Sequence, residues 1–181
     1  MDNMKHLMVD IETLGNKSNS VITQIAAVQF DRETGECGKQ FDILLDIQDC
    51  VDQGLEMNVD TLMWWMRQDD AARAQFQSNE QRFSLKQGLT LFREFISSCG
   101  ELDGIWGNSA RFDLGILSDG YDKVKMPIPW AYWQELDVRT LVSFKPEVRK
   151  NTTFKGVAHN AIDDCKHQIN YCTQIWSMLN E

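Results

Sequence analysis

The chain has 181 residues, 43% of them hydrophobic, and its 18 Lys plus Arg against 27 Asp plus Glu give a formal net charge of −9. That length suits one domain, residues 1–181, with a substantial core, and the charge argues against extended binding of duplex nucleic acid, which rests on Lys and Arg. No apolar run approaches the roughly 20 residues needed to cross a bilayer, Met1–His6 carries no leader-like pattern, and five cysteines without C-x-x-C spacing read as reduced packing residues of a cytoplasmic protein.

The first element is an apolar segment of strand type. In Val9-Asp10-Ile11-Glu12-Thr13 two carboxylates occupy alternate positions, and side chains at i and i+2 of a strand share a face. Asp10 and Glu12 therefore converge, while Leu7, Val9 and Ile11 fill the opposite face. Half-buried like charges are retained where a cation or a shared proton neutralises them, and all-oxygen ligands suit Mg²⁺ or Mn²⁺. A solvated strand end is the alternative. Val21 to Phe30 and Gln40 to Asp46 read as the next two strands, completing an antiparallel meander across a turn-rich connection at 31–38.

Asp60 to Gln68 and Asp70 to Phe76 read as helices, the first carrying Trp64 and Trp65. Neighbours on a helix point about 100° apart. One indole is expected in the core and the other free to stack on a base, a contact worth roughly 1–3 kcal/mol. Ser84 opens a third helix with Gln87 at the capping-box position and Leu85, Leu89, Phe92 and Ile96 as its buried stripe.

Asp103 to Trp106 is a buried strand, followed by a polar turn and a helix opening at about Ala110 with Asn108 or Ser109 as its cap. Asp113 then lies one turn into the helix, at the mouth of the preceding strand, where ligands collect in open α/β sheets. Trp130 to Glu135 reads as a short strand and Val138 to Phe144 as a helix. Arg139, Lys145, Arg149, Lys150 and Lys155 form a basic stretch that is either a solvated loop or a phosphate-contacting rim. The last helix runs from about Ala161 to Leu179, its start marked by Asn160 and Asp163. His159 falls in the loop before it and Asp164 in its first turn.

Three of these stretches resemble the motifs of the DEDDh branch of the 3′-5′ exonucleases. D-x-E-T matches at Asp10, Glu12 and Thr13, N-x-x-x-F-D at Asn108, Phe112 and Asp113, and H-x-A-x-x-D at His159, Ala161 and Asp164. The resemblance implies an α/β, RNase H-like mixed sheet, an antiparallel meander plus parallel strands, with helices on both faces. It implies hydrolysis of phosphodiester bonds from the 3′ end of single-stranded DNA or RNA, releasing nucleoside monophosphates. Asp10, Glu12, Asp113 and Asp164 would hold two divalent ions, Mg²⁺ or Mn²⁺, and His159 would act as general base. Two ions roughly 3.5–4 Å apart stabilise both the attacking and the leaving oxygen. Thr13, Leu14, Asn108 and Phe112 would contact substrate, with Leu14 and Phe112 against the terminal base or sugar. Trp64-Trp65-x-x-Gln68 further resembles a smaller branch containing phage exonuclease-A-like enzymes and a mycobacterial exoribonuclease. An RNase H-type endonuclease and a catalytically silent nucleic-acid-binding module are the alternatives. No membrane partner is expected, and a homodimer is the assembly kept open.

Overall fold

Strand β1 (His6–Thr13) is buried on both faces along its whole length because it lies inside the sheet between two partners. It pairs antiparallel with β2 (Ile22–Phe30) and parallel with β5 (Gly104–Gly107). β2 pairs antiparallel with β3 (Cys37–Leu45), and the parallel partners β4 (Arg82–Phe83) and β6 (Glu135–Asp137) form the two edges. In this computed structural model, which describes residues 4–180, the strand order is β4-β3-β2-β1-β5-β6. The reading of the N-terminal segment falls partly on residues 1–3, outside the described residues.

The alternation of β1 divides its side chains between two cores. Leu7, Val9 and Ile11 pack with Leu85, Leu89 and Phe92 of α4 (Leu85–Ser98) and with Leu114, Leu117 and Tyr121 of α5 (Ala110–Lys123). On the other face, Met8 and Ala26 pack with Val138 and Leu141 of α6 (Val138–Val142), Val148 of α7 (Pro146–Asn151), and Cys165 and Ile169 of α8 (Ala161–Asn180). Small residues let α8 approach the sheet closely. The Cys165 thiol contacts the carbonyls of Met8 and Ala26 at 3.6 and 3.8 Å.

The mixed sheet with helices on both faces agrees with the sequence reading, as does the capping box of Ser84 and Gln87. Four local features differ. β3 begins at Cys37, before the expected Gln40, since Gly35 closes the preceding turn at φ +74°. Asp46, expected to end that strand, instead caps α1 (Ile47–Asp52), its carboxylate accepting from the Asp49 amide at 2.9 Å. The short strand expected over 130–135 is a 3₁₀ turn at Tyr132–Gln134 followed by β6. Helix α5 opens at Ala110 as expected, but the Ser109 side chain makes no capping bond. Asp137 accepts from the Ala110 amide at 2.9 Å, a cap supplied by another strand.

Helices α2 (Val59–Trp65) and α3 (Asp70–Gln77) sit over the C-terminal end of β1. Trp65 fixes α2 there. It is 2% exposed, its indole N–H donates to the Thr13 carbonyl at 2.9 Å, and its ring meets Phe76 edge to face. Trp64 meets the Trp65 ring edge to face at 5.0 Å and is 39% exposed. Trp65→Ala is expected to lower the unfolding free energy by about 3–5 kcal/mol, and Trp64→Ala by much less. Urea unfolding of both variants in chelator is the check.

Candidate active site

The C-terminal end of β1 gathers carboxylates from three elements. Asp10 and Glu12 project from the β1 face turned toward α8. Asp113 comes from the first turn of α5 and Asp164 from the first turn of α8. Gly107 at the end of β5 makes the approach of α5 feasible, since a Cβ there would lie 3.0 Å from both Cβ and Oδ2 of Asp113. The Asp113 carboxylate accepts from the Ser109 amide at 3.1 Å, which fixes it at the sheet edge.

His159 occupies the turn before α8 with φ +63°, a left-handed conformation uncommon outside glycine. That turn brings a side-chain nitrogen of His159 and carboxylate oxygens of Glu12 and Asp164 within 4.8 Å of one another. The Trp64 ring stands edge to face against the imidazole, centroids 4.8 Å apart. Asp163 turns away and accepts from the Val157 amide at 2.9 Å, serving the turn instead.

Burial dominates the electrostatics. It raises the carboxyl pKa of Asp10 and of Glu12 well above the ordinary range, and the neighbouring carboxylates add to the shift. Burial pushes Asp113 up to about 7 and the half-buried Asp164 up to about 6, in the latter case against the opposing effect of His159. None of the ion pairs among the described residues involves these four groups. A set of oxygen donors that resists ionising and has no protein cation paired with it fits hard divalent ions. Cys165, His167 and Cys172, residue types that could suggest a zinc site, are engaged in packing instead. Both cysteines are packed in the core, and His167 lies against Phe154 and Tyr171.

The carboxylates and His159 line a pocket of about 300 Å³. Asn108 and Phe112, expected at the substrate, also line it. From the basic stretch the fold brings Arg139 and Arg149 to its wall, and Lys145, Lys150 and Lys155 are not lining residues. A neighbouring groove of about 640 Å³ shares Ser109 and Phe112 with this pocket and carries Lys17 and Arg111. Four expected substrate contacts, Thr13, Leu14, Trp64 and Trp65, are not lining residues, although Trp64 meets the His159 ring. The Thr13 hydroxyl donates to the Gly15 carbonyl at 2.7 Å, Leu14 is 3% exposed within the core, and Trp65 is the structural anchor described above. Trp65 as a stacking platform is therefore corrected, because its indole is consumed by burial and by its bond to Thr13. Gln168 was missed. It lies one turn after Asp164 on α8, and its amide N–H donates to Asp10 Oδ1 at 2.7 Å. The i, i+4 spacing from Asp164 places the two on one helix face, but no local pattern announces the contact with Asp10.

An exodeoxyribonuclease of Enterobacteria phage T4 is 25% identical over 205 residues, covering 92% of this chain and 86% of that protein. The nuclease domain of 3′hExo, a DEDDh family member solved bound to rAMP, superposes with a TM-score of 0.64 at 10% identity, covering 96% of this chain and 92% of that one. E. coli exonuclease I in complex with a dT13 oligonucleotide superposes with a TM-score of 0.63 at 15% identity over 94% of this chain, which spans 40% of that larger protein. These structures share the RNase H-like architecture seen here. The model of the 3′-5′ exoribonuclease Rv2179c-like domain matches residues 5–176, nearly the whole chain. This protein is a nuclease that belongs to the Rv2179c-like 3′-5′ exoribonuclease domain family.

Proposed function

We propose that the chain is a single-domain, divalent-metal-dependent 3′-5′ exonuclease that releases nucleoside monophosphates from single-stranded DNA or RNA. The observation that carries this reading is convergence: Asp10, Glu12, Asp113, His159 and Asp164, spread from one end of the sequence nearly to the other, line one pocket. Its volume of about 300 Å³ is at the small end of ligand sites, roughly 300–1,000 Å³, and suits one terminal nucleotide better than a duplex. Related proteins were solved with rAMP and with dT13, in keeping with a site that takes single nucleotides from a single strand.

Asp10, Glu12, Asp113 and Asp164 would hold two ions, which when bound supply charge stabilisation to the attacking and leaving oxygens of the phosphodiester. His159 takes the proton of the attacking water at an imidazole nitrogen, the role its position beside Glu12 and Asp164 suits. Arg139 and Arg149 give the pocket wall the local positive charge that the chain as a whole lacks, and a guanidinium fork matches phosphate. Asn108, whose buried Oδ1 has no hydrogen-bond partner among the described residues, offers an acceptor to the sugar or base.

Three outcomes test this reading. End-labelled single-stranded DNA and RNA of equal length, digested with Mg²⁺ or Mn²⁺, should yield mononucleotides from the 3′ end, with no reaction in chelator and resistance of circular or 3′-blocked strands. Early internal fragments from a circle would establish the endonuclease alternative instead.

Asp10→Asn and Asp113→Asn should abolish turnover while leaving the melting temperature in chelator unchanged or higher, because each removes a repelling carboxylate. His159→Ala should keep Mn²⁺ affinity but lose about 10²–10⁴-fold in turnover. Stopped assays combined with Mn²⁺ titration separate the two classes.

The carboxyl shifts also set a pH dependence. Asp164 and Asp113 titrate at about 6 and about 7 in the folded chain, against roughly 4 when unfolded, so the folded state binds more protons in that window. Their stabilising contribution is complete below about pH 4 and lost as pH rises through 6 to 7. In chelator, stability should fall across that range. Saturating Mn²⁺ should reverse the slope, since ionised carboxylates are the ligands, and thermal melts at several pH values provide the measurement.

A further inference from the structure

Gln168 is a buried polar side chain of α8, at 4% exposure, and it faces the site from the inner side of the helix. Its two functional atoms are in different situations. Nε2 donates to Asp10 Oδ1 at 2.7 Å. Oε1 is buried with no hydrogen-bond partner among the described residues, although the residue lines the pocket. An amide that only satisfied Asp10 would leave that acceptor as an uncompensated cost, typically about 1–3 kcal/mol for a buried unsatisfied group. A site that contains water and a hydrated cation removes the cost, because a solvent molecule in the pocket can donate to Oε1.

We propose that Gln168 is a positioning residue of the metal site: it fixes the Asp10 carboxylate through Nε2 and accepts a hydrogen bond from pocket water through Oε1. The inference rests on the metal-site reading of Asp10, Glu12, Asp113 and Asp164. The Nε2 bond occupies one lone-pair position of Asp10, restricts its rotation and leaves its remaining lone pairs for a cation. Such orienting partners of ligand carboxylates are typically worth 10–100-fold in metal affinity. Glutamine suits this place because it is neutral. A lysine or arginine would pair with Asp10 and compete with the cation, and a glutamate would add a fifth carboxylate to the cluster. Asparagine, one methylene shorter, would not span from α8 to Asp10.

The test is calorimetric titration of Mn²⁺ into the substrate-free protein, wild type against Gln168→Met, which keeps length and volume and removes both polar atoms. The expected result is a 10–100-fold weaker dissociation constant, with activity recovering when Mn²⁺ is raised above it. A variant that melts lower yet binds Mn²⁺ as tightly as wild type would assign Gln168 a packing role and overturn the proposal. If the wild type itself takes up no Mn²⁺, the metal-site reading fails, a result distinct from an unaffected variant. Should Gln168→Met not fold, ¹⁵N spectra of the wild-type side-chain amides during Mg²⁺ titration give the answer. The Gln168 NH₂ pair should shift with saturation, and an unmoved pair overturns the assignment.

Discussion

A carboxylate withdrawn from water resists ionising, and Asp10, Glu12 and Asp113 are all buried at one end of the central strand. That desolvation, compounded by mutual repulsion, is the constraint the rest of the structure is arranged around. Carboxylates left alone would separate or hold protons. Here β1 is locked between β2 and β5, and the first turns of α5 and α8 are packed against its end, so separation is not available. Burial favours the protonated form of each carboxyl in the cluster, and under the metal-site reading proposed above a bound cation would favour the ionised form instead.

Small side chains make this closeness possible. Ala26 stands beside Asp10 in the sheet register, and Ala161 and Cys165 line the side of α8 that faces it. Larger residues at these places would lift the helix, and with it Asp164, from the carboxylates on β1. Gly107 does the same for α5 and Asp113. Polar bonds then set orientation, from the Ser109 amide to Asp113 and from Gln168 to Asp10. Positive charge enters only at the wall, through Arg139 and Arg149. An acidic protein can in this way handle a polyanion at one small place without an extended basic surface.

His159 is held by different means. It belongs to no regular element, and its left-handed backbone costs of order 1 kcal/mol or more for a non-glycine residue. Contacts from α2 and α3 offset that cost. Trp64 stands edge to face against the imidazole, and the Gln75 amide approaches the His159 carbonyl at 3.5 Å. The two short helices over the end of β1 therefore tie the histidine turn to the strand that carries Asp10 and Glu12, with Trp65 as their anchor.

What the sequence determined by itself was the set of chemical groups. Alternation put Asp10 and Glu12 on one face of a strand, and helix starts put Asp113 and Asp164 in first turns, because these are local consequences of backbone geometry. The three spaced motifs added the family. Tertiary structure decided everything that depends on which segments meet. Trp64 and Trp65 have equal standing in the sequence, and only the packing of α2 on Thr13 and Phe76 buries Trp65 in the core and leaves Trp64 partly exposed, with both rings near the histidine. The cap of α5 comes from Asp137, a residue 27 positions past Ala110, so no local pattern announces it. Arg139 and Arg149 are indistinguishable in sequence from their basic neighbours until α6 and α7 turn them to the pocket. Gln168 reads as an ordinary helical glutamine until α8 crosses β1 at Asp10, 158 positions away, because a buried polar contact is a property of the crossing and not of either segment.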